Sequence, residues 1–249
     1  MSLPGGPLLI VSPHLDDAAL SCAALLDRRE PPAVVTVLAG IPPEPRFGWS
    51  ERQMGFADST ATMTARRGEE EAALAASVRS LELMDLLDED YLDAPRAAAD
   101  GEAIRERVGA WLERSGGGTV ALPAGAGRQR GRLRARLESL TGGPRGALLA
   151  HDDHLYVRDA ALPAAGDAVL LYEELPYLEG GGAEREARRV ARRAGMSAEP
   201  LELPVDVARK AKRIGRYASQ IAQLTADGRR LDDPAELPTT ERYWILRRS

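Results

Sequence analysis

Residues 8–17 read LLIVSPHLDD, an apolar run that ends in a turn with one histidine and two aspartates. Four consecutive apolar residues, Leu8 to Val11, are typical of a strand that is buried on both faces of a parallel sheet. The sequence that begins at Ala18 has the period of a helix. The stretch therefore predicts a βα unit with polar side chains at the carboxyl end of its strand, where open parallel sheets bind ligands.

Short apolar runs and longer helical segments alternate along the rest of the chain, which indicates repeated βα units. The predicted strands are Leu8–Val11, Val34–Leu38, Leu83–Leu87, Thr119–Leu122, Ala147–Ala150, Val169–Tyr172, Leu201–Leu203 and Tyr243–Leu246. The predicted helices are Ala18–Arg28, Thr60–Val78, Ala97–Glu113, Leu155–Ala160, Ala183–Arg193 and Val207–Leu224. We expect an α/β fold, a Rossmann-like three-layer sandwich with a mostly parallel sheet, in which residues 1–249 form a single domain.

The composition is that of a folded protein, with 44% hydrophobic and 29% charged residues among 249. A net charge of −5 gives no overall attraction to nucleic acid or to an anionic membrane. The single cysteine, Cys22, excludes an internal disulfide. We expect a cytoplasmic protein without nucleic-acid or membrane partners. The arginine-rich segment 128–136, RQRGRLRAR, is interpreted as a solvated face, or alternatively as a flap that meets an anionic substrate.

All three histidines lie in two short acidic clusters, His14 in SPHLDD and His151 with His154 in AHDDHL. Each cluster follows a predicted strand and precedes a predicted helix, so both are expected at the same edge of the sheet. His14 and Asp17 are three residues apart, as are His151 and His154, and this spacing can place two side chains on one side of a turn. If the first cluster is taken by itself, helix capping by Asp16 and Asp17 explains it. Capping does not explain why the histidines occur in both clusters.

A catalytic zinc site takes three protein ligands from histidine and carboxylate side chains and leaves one position to water. His14, Asp17 and His154 supply such a set, for one zinc ion per chain. Asp16 lies beside them and is a candidate general base for the water, whose pKa zinc lowers to roughly 7.

His151 remains as a further polar group of the same cluster. Oriented by Asp153 or another carboxylate, it can stabilise a tetrahedral oxyanion or protonate a leaving amine. The two clusters together predict a metal-dependent amide hydrolase.

These motifs resemble those of the PIG-L (LmbE-like) family of zinc-dependent N-deacetylases. The family's opening motif reads roughly (A/S)-H-P-D-D-E and its later motif H-x-D-H, and residues 12–18 and 151–154 read SPHLDDA and HDDH here. Other segments that look like those of bacterial members are Arg66–Glu69, Leu171–Tyr177, Tyr217–Gln220 and Glu241–Trp244. Leu15 and Ala18 depart from the motif, and Ala18 removes a carboxylate near the ligands.

The resemblance implies a role for each matching residue. His14, Asp17 and His154 are then the zinc ligands and Asp16 the general base, while His151 stabilises the transition state with Asp153 behind it. Arg66 and Asp88 border the substrate site.

The activity that the resemblance implies is N-deacetylation of an N-acetylated amino sugar or glycoconjugate of the N-acetylglucosaminyl type, by attack of a zinc-bound water. One alternative is a related amidase that cleaves a sugar-linked amide in a thiol conjugate or natural product. Another is a metal-free binding module of the same fold. A magnesium-dependent phosphate-handling enzyme is disfavoured, because three histidines near the site favour zinc over an ion that prefers oxygen.

Overall fold

A seven-stranded sheet organises the computed structural model, which describes residues 3, 5–129, 149–220, 225–226 and 229–248. The strands are β1 Leu8–Ser12, β2 Ala33–Thr36, β3 Ser80–Leu83, β4 Thr119–Pro123, β5 Val169–Tyr172, β6 Met196–Pro204 and β9 Thr240–Arg248. Their order is β3-β2-β1-β4-β5-β9-β6. The first five are parallel, and β9 runs antiparallel to both β5 and β6. A separate pair joins β7 Thr225–Ala226 to β8 Arg229–Arg230.

Helices cover both faces of this sheet. They are α1 Asp17–Ser21, α2 Ala23–Leu26, α3 Trp49–Met54, α4 Ser59–Leu74, α5 Ala98–Ser115, α6 Asp152–Ala161, α7 Ala183–Arg193 and α8 Val207–Ile214. Short 3₁₀ turns lie at Glu89–Tyr91, Leu162–Ala164 and Tyr177–Gly180. Within the described ranges, no helix combines the length and the apolar character needed to cross a membrane.

The alternation of side chains along β1 builds two cores. Leu9 and Val11 join the apolar cluster under α5, α6 and α7, whereas Leu8 and Ile10 join the cluster under α1, α2 and α4. Because both faces of the strand are buried, its sequence is a continuous apolar run rather than an alternating one. The predicted three-layer α/β fold with a mostly parallel sheet is confirmed.

One predicted strand was misplaced, and another lies partly outside the described residues. The third strand is Ser80–Leu83, not Leu83–Leu87, because it pairs residue by residue with Ala33–Thr36 of β2 and ends where that partner ends. In the segment predicted as Ala147–Ala150, Leu149 forms only an isolated bridge with Arg128. Residues 147 and 148 lie outside the described residues, as do residues 130–136 of the arginine-rich segment.

Three predicted helices are shorter than expected, and one of them, Thr60–Val78, ends at Leu74. The segment Ala18–Arg28 forms two helices that are separated at Cys22, whose backbone leaves the helical region. The segment Val207–Leu224 is helical only to Ile214, and turns follow from Gly215 to Gln220. Residues 221–224 lie outside the described part of the chain.

A buried carboxylate ties the antiparallel edge of the sheet to two helices. Glu241 of β9 accepts hydrogen bonds from the backbone N–H groups of Ala23 and Ala24, from Lys210 Nζ at 2.7 Å and from the Tyr243 hydroxyl. Buried ion pairs need such additional donors to offset the loss of hydration. The motif Glu241–Trp244 is therefore explained by its role in the fold.

A second buried carboxylate makes stability depend on pH. Glu70 of α4 accepts hydrogen bonds from the Thr36 hydroxyl at 2.8 Å and the Tyr217 hydroxyl at 2.6 Å. Burial raises the pKa of Glu70 to about 7. Because the folded protein holds this proton more tightly than the unfolded chain, the contribution of Glu70 to stability is complete below its unfolded pKa of about 4.3 and is lost as the pH rises through about 7.

Replacing Glu70 with glutamine is therefore expected to raise the free energy of unfolding by about 1–2 kcal/mol near pH 8, and to change it little near pH 5. Urea unfolding of both proteins at the two pH values measures this difference. Glu69→Gln is the matched control, because Glu69 is only partly buried and accepts its hydrogen bonds from Ser219. Parallel pH dependence of the Glu70→Gln variant and the parent would contradict the prediction.

Candidate metal and catalytic centre

The two histidine clusters meet at one edge of the sheet. His14 lies in the turn after β1, and His151 caps the amino end of α6, which packs against β4, the parallel neighbour of β1. The centroid of the His14 ring lies 4.8 Å from that of the His151 ring and 5.2 Å from that of the His154 ring. The centroids of the His151 and His154 rings are 5.3 Å apart. All three imidazoles of the chain therefore share one site.

His14, Asp17 and His154 form a buried group whose candidate ligand atoms all lie within 4.8 Å of one another. Asp17 Oδ2 is 3.3 Å from His14 Nδ1 and 3.2 Å from His154 Nε2. Despite that short distance, His154 Nε2 has no partner in hydrogen-bonding geometry among the described residues. A buried nitrogen left without a partner between a carboxylate and a second imidazole fits a divalent cation, which would replace protons held by the ligands.

The charges of this group support the same interpretation. Burial alone would lower the pKa of His154, but the carboxylates of Asp17 and Glu174 raise it to about 9. The pKa of His14 is also raised well above its ordinary value, against the effect of burial, by Asp88, Asp153 and Asp17. The site therefore stabilises positive charge.

Glu174 holds His154 from the side opposite Asp17. Its Oε1 lies 3.3 Å from His154 Nδ1, and its two oxygens accept hydrogen bonds from the backbone N–H groups of Gly125 and Ala126. Gly125 has a φ of +83°, and a Cβ there would lie 2.6 Å from Leu155 Cδ2, so this turn requires glycine. With Nδ1 facing a carboxylate, the Nε2 lone pair is free to bind a metal.

Asp16 adopts an unusual backbone conformation beside this group. Its φ is 127°, a region that residues with a side chain rarely adopt and that costs of order 1–3 kcal/mol. The neighbours hold it there, because Asp17 accepts a hydrogen bond from the His14 N–H and Ala18 N–H donates to the Ser12 hydroxyl. Burial raises the pKa of Asp16 to about 7, although Arg66, 3.8 Å away, opposes the shift.

His151 and Asp153 are joined through the backbone. The Asp153 N–H donates to His151 Nδ1 at 3.3 Å, so the proton of neutral His151 lies on Nε2. The carboxylate of Asp153 binds elsewhere, to His14 Nε2 and to the guanidinium of Arg96. Burial and the neighbouring imidazoles lower the pKa of His151 to about 4, so this ring is neutral near pH 7.

A cavity of about 310 Å³ opens onto this group. Six of the eight predicted site residues line it: His14, Asp16, Asp17, Arg66, Asp88 and His151. Asp153 and His154 are buried against the same group. Arg66 donates to the Leu15 carbonyl at 3.1 Å, and Asp88 Oδ2 lies 3.5 Å from His14 Nε2. The structure thus brings all eight residues together.

Three side chains of the site were given no role from the sequence, although two of them lie in the segment Leu171–Tyr177, which follows a predicted strand and resembles the family. Glu174 contacts His154, and Arg96 donates to Asp153. The ring of Tyr177 stands edge-on to His151 and His154. Glu174 lies two residues after the end of β5, at the same sheet edge as His14, which is the signal that points to its role. Arg96 lies in the loop 92–97, whose sequence gives no such signal.

The chain is similar in sequence to a curated deacetylase. The chain is 32% identical over 187 residues to the 2'-N-acetylparomamine deacetylase of Streptomyces fradiae. The match covers 69% of this chain, which spans 58% of the length of that relative. No protein-family model matches the chain.

Solved structures match over nearly the whole chain. The zinc-inhibited form of teicoplanin deacetylase has a TM-score of 0.72 and 23% identity, with 98% of each chain covered. The deacetylase of an antimicrobial pseudoaglycone has a TM-score of 0.68 and 25% identity, again with 98% of each chain covered. The 4-carboxy-2-hydroxymuconate hydratase of Pseudomonas putida has a TM-score of 0.55 and 15% identity, with 98% of this chain and 95% of that one covered. The chain therefore has the α/β fold of these deacetylases, a fold that also carries a hydratase.

Proposed function

We propose that this chain is a zinc-dependent hydrolase of the PIG-L (LmbE-like) family that removes the acetyl group from the nitrogen of an N-acetylated amino sugar or glycoconjugate. The observation that carries the proposal is the buried group of His14, Asp17 and His154 beside Asp16, in a cavity large enough for part of a sugar. The similarity to a deacetylase of an acetylated amino sugar supports this choice of substrate class. The whole of residues 1–249 would act as one catalytic domain, in a cytoplasmic setting that the single cysteine favours.

The metal ligands in this proposal are His14, Asp17 and His154, for one ion per chain. Two imidazoles and a carboxylate are the donor set of catalytic zinc sites. Bound there, zinc would act as a Lewis acid and lower the pKa of a water ligand to roughly 7. Glu174 fixes the His154 ring by its contact at Nδ1 and leaves Nε2 for the metal.

Asp16 acts as the general base. Its buried carboxylate takes a proton from the attacking water as the new C–O bond forms, and returns it to the amide nitrogen as the C–N bond breaks. The raised pKa of Asp16, about 7, is suited to both transfers near neutral pH. Arg66 keeps the carboxylate oriented through its contact with Asp16 Oδ2 at 3.8 Å.

His151 stabilises the oxyanion that develops on the acetyl oxygen. Its neutral ring presents an Nε2–H donor, because Nδ1 accepts the Asp153 N–H. Asp153 is kept ionised by His14 and Arg96, which hold its pKa well below the ordinary value despite burial. In this proposal Asp88 and Arg66 bind polar groups of the sugar, because both line the cavity.

The proposal is tested by incubating the zinc-loaded protein with 2'-N-acetylparomamine, with simple N-acetylglucosamine derivatives and with larger sugar-amide conjugates. We expect equal amounts of acetate and free amine, loss of turnover with a chelator and recovery when zinc is added. Cleavage of only the larger conjugates would favour the related amidase. Absence of any turnover, together with absence of bound metal, would favour the binding module.

A further inference from the structure

A second cavity, of about 430 Å³, lies away from the catalytic group, where α2, α4 and α8 end. Its lining includes five cationic side chains: Arg28, Arg209, Lys212, Arg213 and Arg216. The lining has a single carboxylate, Asp27. The cavity lining is therefore positively charged, although the net charge of the chain is −5.

Arg213 gives this cavity a buried donor that lacks an acceptor. Its side chain is 4% exposed, and Nη2 donates to Asp27 Oδ1 at 2.7 Å and to the Ser77 hydroxyl at 3.0 Å. Nη1 has no acceptor among the described residues, and Asp27 Oδ2 has no donor there. Leaving a buried polar atom unpaired costs about 1–3 kcal/mol, and more for a charged group. The Arg213 guanidinium is therefore only partly paired, and its charge lies beneath the cavity lining.

The helix ends account for only part of the positive charge. Cations near the carboxyl end of a helix interact favourably with its dipole, and α4 and α8 both end at this cavity. That effect supplies no acceptor for Arg213 Nη1. Lys212 and Arg216 are exposed and form no ion pair within the described ranges, so they are free to meet an incoming anion.

We propose that this cavity binds a small phosphorylated sugar or polyol. The phosphate oxygens accept from the exposed cations Lys212 and Arg216, and the buried charge of Arg213 adds to the attraction, while the sugar occupies the rest of the cavity. The volume is in the range of small-molecule sites and exceeds what a bare phosphate ion needs. The site is separate from the catalytic centre and does not depend on the proposed deacetylase activity.

Isothermal titration of the metal-loaded protein with glucose 6-phosphate, inorganic phosphate and glucose tests the proposal. We expect saturable binding of one glucose 6-phosphate per chain, weaker binding of inorganic phosphate and none of glucose. Vesicles that contain phosphatidic acid form a further arm, in which we expect no co-sedimentation. Binding to the vesicles without binding of soluble phosphates would overturn the proposal in favour of a membrane surface.

A double variant, Lys212→Ala with Arg216→Ala, locates the binding. Both side chains are exposed, so the fold is retained, and we expect affinity for glucose 6-phosphate to fall at least about tenfold. The matched control is Arg185→Ala with Arg192→Ala, two exposed arginines of α7 that line a different cavity. An equal loss in both double variants, or no saturable binding to the parent, would overturn the proposal.

Discussion

Replacing Asp16 with asparagine is expected to lower kcat by about 10²–10⁴-fold while the metal content stays that of the parent. The amide cannot take the proton of the attacking water, yet it has the same shape, and asparagine is among the residues that tolerate a positive φ. The metal is retained because its proposed ligands are His14, Asp17 and His154. Turnover at saturating substrate and elemental analysis of the same preparation measure the two quantities.

Asp85→Asn is the matched control for this experiment. Asp85 is an exposed aspartate that pairs with Arg67 and does not line the catalytic cavity. We expect its turnover to equal that of the parent. Full activity in the Asp16→Asn variant would remove Asp16 as the base, and loss of metal from it would show that Asp16 acts on the metal site instead.

Replacing Glu174 with glutamine is expected to weaken metal binding by about 10–100-fold. Glutamine has one acceptor oxygen, so it cannot serve both His154 Nδ1 and the Gly125 and Ala126 N–H groups as the carboxylate does. His154 then loses the contact that fixes its tautomer and raises its basicity. Competition with a chromogenic chelator measures the affinity independently of any activity.

Glu173→Gln is the control, because it removes the carboxylate of the residue next to Glu174. Glu173 accepts a hydrogen bond from the Trp244 indole N–H and does not contact His154. Its metal affinity is expected to match that of the parent. If Glu174→Gln also binds metal as tightly as the parent, Glu174 has no part in positioning His154.

The sequence predicts the fold because the central parallel strands β1, β2, β4 and β5 are buried on both faces. Continuous apolar runs such as Leu8–Val11 arise from that burial, and they are visible without knowledge of the partner strands. The edge strand β3 was misplaced because all four of its residues are partly buried or exposed, so the apolar residues that follow it gave the stronger signal. Pairing with β2, which fixes its true bounds, depends on tertiary structure.

The candidate site was also predicted only in part from the sequence. Histidines and aspartates that lie within a few residues of each other, as in residues 14–17 and 151–154, are recognised from spacing alone. Arg96 reaches Asp153 from 57 positions away, and no local pattern encodes such a contact. The strain at Asp16 is also absent from the sequence, because it arises from the hydrogen bonds that hold its neighbours.

The metal content of the purified protein, measured beside that of a His154→Ala variant, tests the central claim most directly. The account predicts about one zinc ion per chain in the parent and its loss from the variant, because His154 Nε2 is one of three proposed ligand atoms. Zinc that is absent from the parent and is not taken up on reconstitution would contradict the account. Zinc retained in equal amount by the variant would contradict the ligand set.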